Sequence, residues 1–184
     1  MNILITGFAP FGGETINPSY EAVRLLPDEI AGHTIKKQEL PVTFQGAPVL
    51  LAEKVRAIRP DVLISVGQAG GRPDITPERV AINLMDARIP DNDGFSPVDI
   101  PVEKDGETAY FTTLPVKKMV EAMKEACISA GLSYSAGSYV CNTVMYAGLY
   151  LAAREFPGMR AGFIHVPFIP EQLKGKKEGT PAME

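Results

Sequence analysis

Apolar positions in this chain fall into two rhythms that alternate from end to end. Asn2 to Thr6 is a short β-rich run stopped by Gly7, and Asn17-Pro18-Ser19 then supplies a helix start, with Asn as N-cap and Pro at the first helical position. Pro27 closes that helix. Thr34 to Leu40 reads as a more polar strand, and Leu51, Val55 and Ile58 fall at i, i+4 and i+7, the stripe a helix buries, with Pro60 as its stop. Asp61 to Val66 is a nearly unbroken apolar strand of the kind covered on both faces, halted by Gly67. From Gly67 to Pro101, Gly-Gly, Pro-Asp and Ser-Pro signals surround one strand-like piece, where Val80, Ile82 and Leu84 alternate with Ala81 and Asn83. A helix is predicted from about Pro115 to Ala130, with Val116, Met119, Val120, Met123 and Cys127 on one face, followed by a short polar strand at Ser133 to Ser135. Val144 to Glu155 is apolar nearly all round, the mark of a helix inside a protein, and Arg160 to Val166 is the last strand.

Strands alternating with helices imply an α/β fold: one domain over residues 1–184, with an open, mostly parallel twisted sheet between two helical layers. Ligands bind such sheets beyond the carboxyl ends of the strands. That rule directs attention to Gly7 through Gly13, Gly67 through Glu78, the Ser138 to Asn142 turn and the strand end carrying His165. The polar stretch from Gln172 to Glu184 is expected to be mobile.

Composition narrows the partners. The 184 residues are 45% hydrophobic, enough for a core, and carry a net charge of −4, which leaves no cationic surplus for nucleic acid. Two cysteines are too few for a disulfide scaffold and fit a reducing compartment. The longest apolar run, Val144 to Ala153, falls far short of the ~20 residues of a membrane span. A cytoplasmic protein without membrane contact is expected.

With only two histidines and two cysteines, thiol or metal chemistry has few candidates. His33 sits in a turn and reads as a surface residue, whereas His165 is either a satisfied core histidine or a group presented to a site. Cys127 reads as a small buried hydrophobe on its helix face. Cys141 enters the buried helix, where it either packs in the core or exploits free amides that favour a thiolate and could hold an oxyanion. Such a cysteine and histidine are the minimum for thiol catalysis, and the histidine then needs a third group to orient it. Glu78 fits that need, or is a solvated charge paired with Arg72 or Arg79. No histidine pair, CxxC or HExxH supports a metal site. Gly7 and Gly12-Gly13 invite comparison with a phosphate cradle but lack the Lys-Ser/Thr of a P-loop. Phe8 and Phe11 on that loop are either walls of a small apolar pocket or packing against the core.

Four stretches together resemble the pyroglutamyl-peptidase I family, also called pyrrolidone-carboxylate peptidases. They are TGFAPFGG with Asn17-Pro18-Ser19, GQAGGRPDITPERVAINLMDARIPDNDG from Gly67 to Gly94, SAGSYVCN from Ser135 to Asn142, and GFIHVPFIPEQ from Gly162 to Gln172. The resemblance implies a cytoplasmic cysteine peptidase that removes an N-terminal pyroglutamyl residue from peptides, with no metal and no cofactor, on a three-layer α/β/α sandwich often assembled as a homotetramer. Position by position, it makes Cys141 the nucleophile, His165 the base and Glu78 the carboxylate that orients the base. It makes Phe8 and Phe11 the aromatic pair that sandwiches the lactam ring, Gln68 part of the substrate loop, and Arg88 an arginine near the active site that assists the oxyanion.

Two departures stand out. Thr143 replaces a histidine carried by many members, and relatives continue past Pro170-Glu171-Gln172 into a final helix for which this sequence has no apolar periodicity. Surface left bare by a missing helix would favour association. Two other readings stay open: a binding protein that keeps the pocket without turnover, and a nucleotide- or phosphate-linked enzyme suggested by the Gly7 to Gly13 loop.

Overall fold

The computed structural model describes all of residues 1–184. Its elements in chain order are β1 (Asn2–Phe8), α1 (Pro18–Leu25), β2 (Glu29–Ile30), β3 (His33–Leu40), α2 (Gly46–Ile58) and β4 (Val62–Gln68). There follow β5 (Thr76–Pro77), β6 (Val80–Ile82), β7 (Ala109–Phe111), α3 (Val116–Glu125), α4 (Val140–Arg154), β8 (Arg160–Val166) and a 3-10 turn (Pro170–Leu173). The main sheet runs β2-β3-β1-β4-β8-β5, and a two-stranded ribbon pairs β6 with β7. β1, β3, β4 and β8 are parallel, while the short edge strands β2 and β5 are antiparallel to their neighbours. The α/β expectation holds.

Alternation along each strand divides the core between the two faces. Leu4 and Phe8 of β1, Leu63 of β4 and Phe163 of β8 pack with Leu51 and Val55 of α2 and Val144 and Met145 of α4 in a cluster of 22 buried residues. On the other face Ile5, Ile35 and Val66 meet Val23 of α1, and Val62 meets Val116 of α3. α1 starts as its sequence predicts: the Ser19 N–H donates to the side chain of the N-cap Asn17 at 3.1 Å, and Pro18 opens the helix.

Several boundaries differ from the sequence pattern for identifiable reasons. β1 and β4 do not stop at Gly7 and Gly67 but continue through them to Phe8 and Gln68, so both glycines lie inside strands. α3 ends at Glu125, because Cys127 adopts a left-handed conformation (φ 60°). Its N–H donates to Lys124 O and that of Ile128 to Met123 O, the paired bonds of a Schellman closure. Cys127 is therefore exposed rather than a buried hydrophobe, and no glycine signals the turn. Ser133 to Ser135 is no strand: Ser133 forms one isolated bridge, to Glu78. α4 starts at Val140, ahead of the apolar run, because the buried polar pair Asn142 and Thr143 belongs to its first turn. Asn142 receives the Ile82 N–H on its Oδ1 and donates to Ile82 O and Leu84 O, tying α4 to β6.

The segment from Gln172 onward keeps contacts with the rest of the chain. Gln172 is buried, Lys176 pairs with Glu14, and Met183 N–H donates to Phe168 O at 2.8 Å.

Gly7 tests how closely α1 sits on the sheet. A Cβ there would lie 2.6 Å from Tyr20 Cα and 2.8 Å from the Ser19 carbonyl carbon, both helix backbone. Gly7→Ala is expected to cost about 1–3 kcal/mol, read as a lower denaturant midpoint. An unchanged midpoint would show that α1 has room to retreat.

Candidate active site

The carboxyl ends of β1, β4 and β8 meet the amino end of α4 around a cavity of about 480 Å³. Phe8, Phe11, Gln68, Cys141 and His165, all selected from the sequence, line it. A larger groove of about 720 Å³ between α1 and the terminal segment contains none of them, so chemistry rather than size identifies the site.

Local structure explains how each group arrives there. Phe8 ends β1, and its N–H donates to Ser19 Oγ at 2.9 Å, while Asn17 Nδ2 donates to Ala9 O at 2.9 Å. The start of α1 therefore anchors the loop that carries both phenylalanines. Positive φ at Gly12 and Gly13 (65° and 82°) turns the chain after Phe11, so the glycines shape an aromatic wall. Phe8 packs on Phe163 with ring centroids 6.3 Å apart, and Phe11 on Tyr139 at 6.4 Å.

His165 pairs in register with Gly67 on one side and Thr76 on the other. Because β5 runs antiparallel to β8, the chain leaving it brings Glu78 beside the imidazole, and Glu78 N–H donates to Phe163 O at 2.9 Å. Glu78 is wholly buried, and its Oε1 lies 2.7 Å from His165 Nδ1. A carboxylate only accepts, so Nδ1 carries the proton and Nε2 is left as the basic nitrogen. The solvated-charge alternative for Glu78 is thus excluded. Cys141 Sγ occupies the space above Gly67, 2.9 Å from where a Cβ on that glycine would sit. Thiol and imidazole therefore share the wall built on one residue of β4.

Arg72 completes the arrangement, and sequence reasoning weighed it only as a partner for a surface charge. Its guanidinium donates to Glu78 Oε1 at 2.7 Å and Thr76 Oγ1 at 2.8 Å, and Arg72 also lines the cavity. Tyr139 was missed altogether; it stacks edge-on against Phe44 at 5.1 Å and donates its hydroxyl to Pro90 O. Arg88 is exposed on the loop after β6 and is not part of the cavity lining.

Burial dominates the proton affinities. It pushes the Cys141 thiol up to about 12, reinforced by the Glu78 charge and opposed by Arg72. It lowers His165 below its ordinary value, although Glu78 pulls upward. Burial also raises Glu78, but His165, Ser133 and, to a lesser degree, Arg72 together outweigh that and hold it below the usual carboxylate range. The resting pair is therefore a neutral thiol beside a neutral imidazole, not the thiolate expected from a helix terminus alone. No side chain caps α4, so the first-turn amides of Val140, Cys141 and Asn142 remain free donors beside the sulfur.

Comparison with known proteins agrees over the full length. A family model described as pyroglutamyl peptidase matches residues 1–184. The pyrrolidone-carboxylate peptidase of Thermococcus onnurineus is 55% identical over 184 residues, covering 100% of this chain and 92% of that protein. The Clostridium perfringens protein of the same name is 53% identical over 183 residues, covering 100% and 85%. Among solved structures, pyroglutamyl peptidase I of Bacillus amyloliquefaciens superposes with a TM-score of 0.95 at 46% identity, covering 100% of this chain and 88% of that one. The pyrrolidone carboxyl peptidase of Thermococcus litoralis gives a TM-score of 0.95 at 40% identity, covering 99% and 85%.

The electrostatics make a signed prediction. Glu78 raises the His165 pKa, so Glu78→Gln should move the imidazole titration to lower pH, read by NMR. A shift to higher pH would contradict the charge balance. Because folding lowers the His165 pKa, its contribution to stability is complete above the unfolded value of about 6.5 and is lost as pH falls below it. The wild-type melting temperature should fall with acidification from that point.

Proposed function

The chain belongs to the pyroglutamyl peptidase family, and on that footing we propose that it hydrolyses the amide bond after an N-terminal pyroglutamyl residue with Cys141 as nucleophile, His165 as general base and acid, and Glu78 as orienting carboxylate. The observation that carries the reading is the convergence of a thiol, a carboxylate-tethered imidazole and an aromatic wall in one cavity.

His165 Nε2 takes the thiol proton as Sγ bonds to the pyroglutamyl carbonyl carbon, and the carbonyl oxygen becomes an oxyanion facing the free amides of α4. The imidazolium then gives that proton to the departing nitrogen as the C–N bond breaks, leaving a thioester. Water attacks the thioester, His165 accepts its proton and returns it to sulfur, and pyroglutamate leaves. Glu78 lowers the cost of the transient imidazolium in a buried place, and Arg72 adds to the contacts that hold Glu78 ionised.

The same wall supplies selectivity. A lactam is neutral and flat and can lie against Phe8 and Phe11, whereas an ordinary amino terminus would lose hydration of its ammonium with no carboxylate free to receive it. Glu78, the buried carboxylate of the site, is not part of the cavity lining and lies behind His165, which it engages together with Arg72 through Oε1.

The reading extends to a cytoplasmic homo-oligomer. Both cysteines are free, and no helix is long and apolar enough to cross a membrane. Exposed Leu25, Val98 and Phe111 supply apolar surface for association.

A fluorogenic pyroglutamyl amide should be cleaved in preference to its prolyl and alanyl counterparts, with loss of activity to iodoacetamide and indifference to EDTA. Cys141→Ser should lower kcat by on the order of a thousandfold or more, while Cys127→Ser, exposed beyond α3, should stay within about twofold of wild type. Equal losses would remove Cys141 from the chemistry, and no cleavage by folded wild-type protein would overturn the hydrolase reading.

A further inference from the structure

Gln172 lies on the 3-10 turn after β8 and is 3% exposed, an unusual place for a primary amide. A buried amide survives by engaging its polar ends, and here the partners dictate which end is which. The Ile169 backbone N–H can only donate, and it donates to Gln172 Oε1 at 3.3 Å. The other end of Gln172 is therefore the nitrogen, and Nε2 donates to Gln68 Oε1 at 2.8 Å. Gln68 thus spends its oxygen on Gln172, and its own Nε2 is the end left over. Gln68 lines the cavity together with Phe8, Phe11 and Cys141.

We infer that Gln172 is a positioning residue: through a relay of hydrogen-bond polarity that begins at a backbone N–H, it turns the Gln68 amide so that a neutral N–H₂ donor faces the bound ring. The inference rests on the proposed hydrolase reading, since the ring that suits this donor is a lactam, whose carbonyl oxygen accepts. A prolyl ring has a methylene in that position and an ammonium nearby, and neither accepts a hydrogen bond. The aromatic wall selects for flatness and lack of charge, and the Gln68 nitrogen adds a requirement for a carbonyl on the ring.

The surrounding backbone explains why the relay holds its shape. Ala69 N–H donates to Val166 O at 2.9 Å, fastening the chain after Gln68 to the end of β8. The Phe168 ring lies against Gly70, 2.1 Å from where a Cβ there would be. The segment after β8 is thereby a platform under the Gln68 loop, and Gln172 is its polar contact.

Gln172→Glu tests the polarity with little change of shape. The carboxylate still accepts from Ile169 N–H but can no longer donate, so Gln68 must reverse and show its oxygen to the cavity. KM for the pyroglutamyl amide should rise about tenfold with kcat within about twofold, as for a contact made equally in ground and transition states. In a Gln68→Ala background the same substitution should change KM no further. Gln172→Met, which removes both bonds at similar volume, should raise KM less, and its rise should also vanish in the Gln68→Ala background. The Met arm decides the matter if the Glu variant does not fold, with melting curves recorded for each. An unchanged KM, a fall in kcat at constant KM, or full effects on the Gln68→Ala background would overturn the relay. Calorimetry with 2-pyrrolidone separates the two readings. Wild type that binds the lactam without hydrolysing the amide overturns only the hydrolase, and Gln172→Glu that binds it as tightly as wild type overturns only the relay.

Discussion

A carboxylate with no exposed surface is the constraint around which the site is organised. Leaving such a charge unpartnered costs several kcal/mol, so Glu78 must find compensation inside the protein. It does so twice on the same oxygen, from His165 Nδ1 and from Arg72. Both partners arrive only because the chain from Gly67 to Glu78 leaves β4, turns through Gly70 and Gly71, and returns as β5 on the far side of β8. The antiparallel edge strand, only two residues long, is thus the device that puts a carboxylate behind a histidine on an otherwise parallel sheet. Ser133 closes the arrangement from outside, bridging Pro77 and Arg79 by backbone hydrogen bonds.

Burial of the carboxylate also bears on the proposed reaction. With the thiol pushed up to about 12 and the imidazole pushed down, burial favours the neutral form of both. In the proposed mechanism the proton moves when a carbonyl is in place to receive the sulfur electrons and α4 amides are in place to receive the oxyanion. At that moment Glu78 already carries the charge that the imidazolium needs. Arg72 has opposite effects on the two sides of this balance. It lowers both the thiol and the histidine, so it eases formation of the thiolate while making the imidazole a weaker base.

Much of this was legible from residue order alone. Alternation of strand and helix predicts the sheet, and the rule that ligands sit beyond carboxyl strand ends points to the loops that line the cavity. Cys141 and His165 follow from being a cysteine at a helix start and a histidine at a strand end. What was not legible depends on contacts between distant residues. The left-handed turn at Cys127 has no glycine to announce it, and its closing bonds come from α3 itself. Asn142 and Thr143 interrupt an apolar run, so α4 reads as starting later; only the position of β6 explains why a buried helix tolerates them. Arg72 was visible, but whether it pairs at the surface or inside depends on where β5 lies. Arg88 shows the converse, a residue assigned by resemblance that the fold leaves exposed outside the cavity lining.

The glycines carry the most instructive misreading, because a glycine after an apolar run signals a turn and here signals a close approach. Gly7 and Gly67 both remain in the ladder, pairing with Glu39 and His165. At Gly7 the missing side chain lets the α1 backbone settle onto β1, which brings Ser19 within reach of the Phe8 N–H and fixes the aromatic wall. At Gly67 it leaves the volume that Cys141 Sγ and the edge of Phe163 occupy. Any side chain on that residue would displace either the Cys141 thiol or the ring that packs against His165, whose centroid lies 4.8 Å away. The same hydrogen atom that weakens a strand by propensity therefore makes room for the thiol beside the strand that carries His165. In a sheet of this kind, a glycine near a strand's carboxyl end is better taken as a place where another group must fit than as the place where the strand stops.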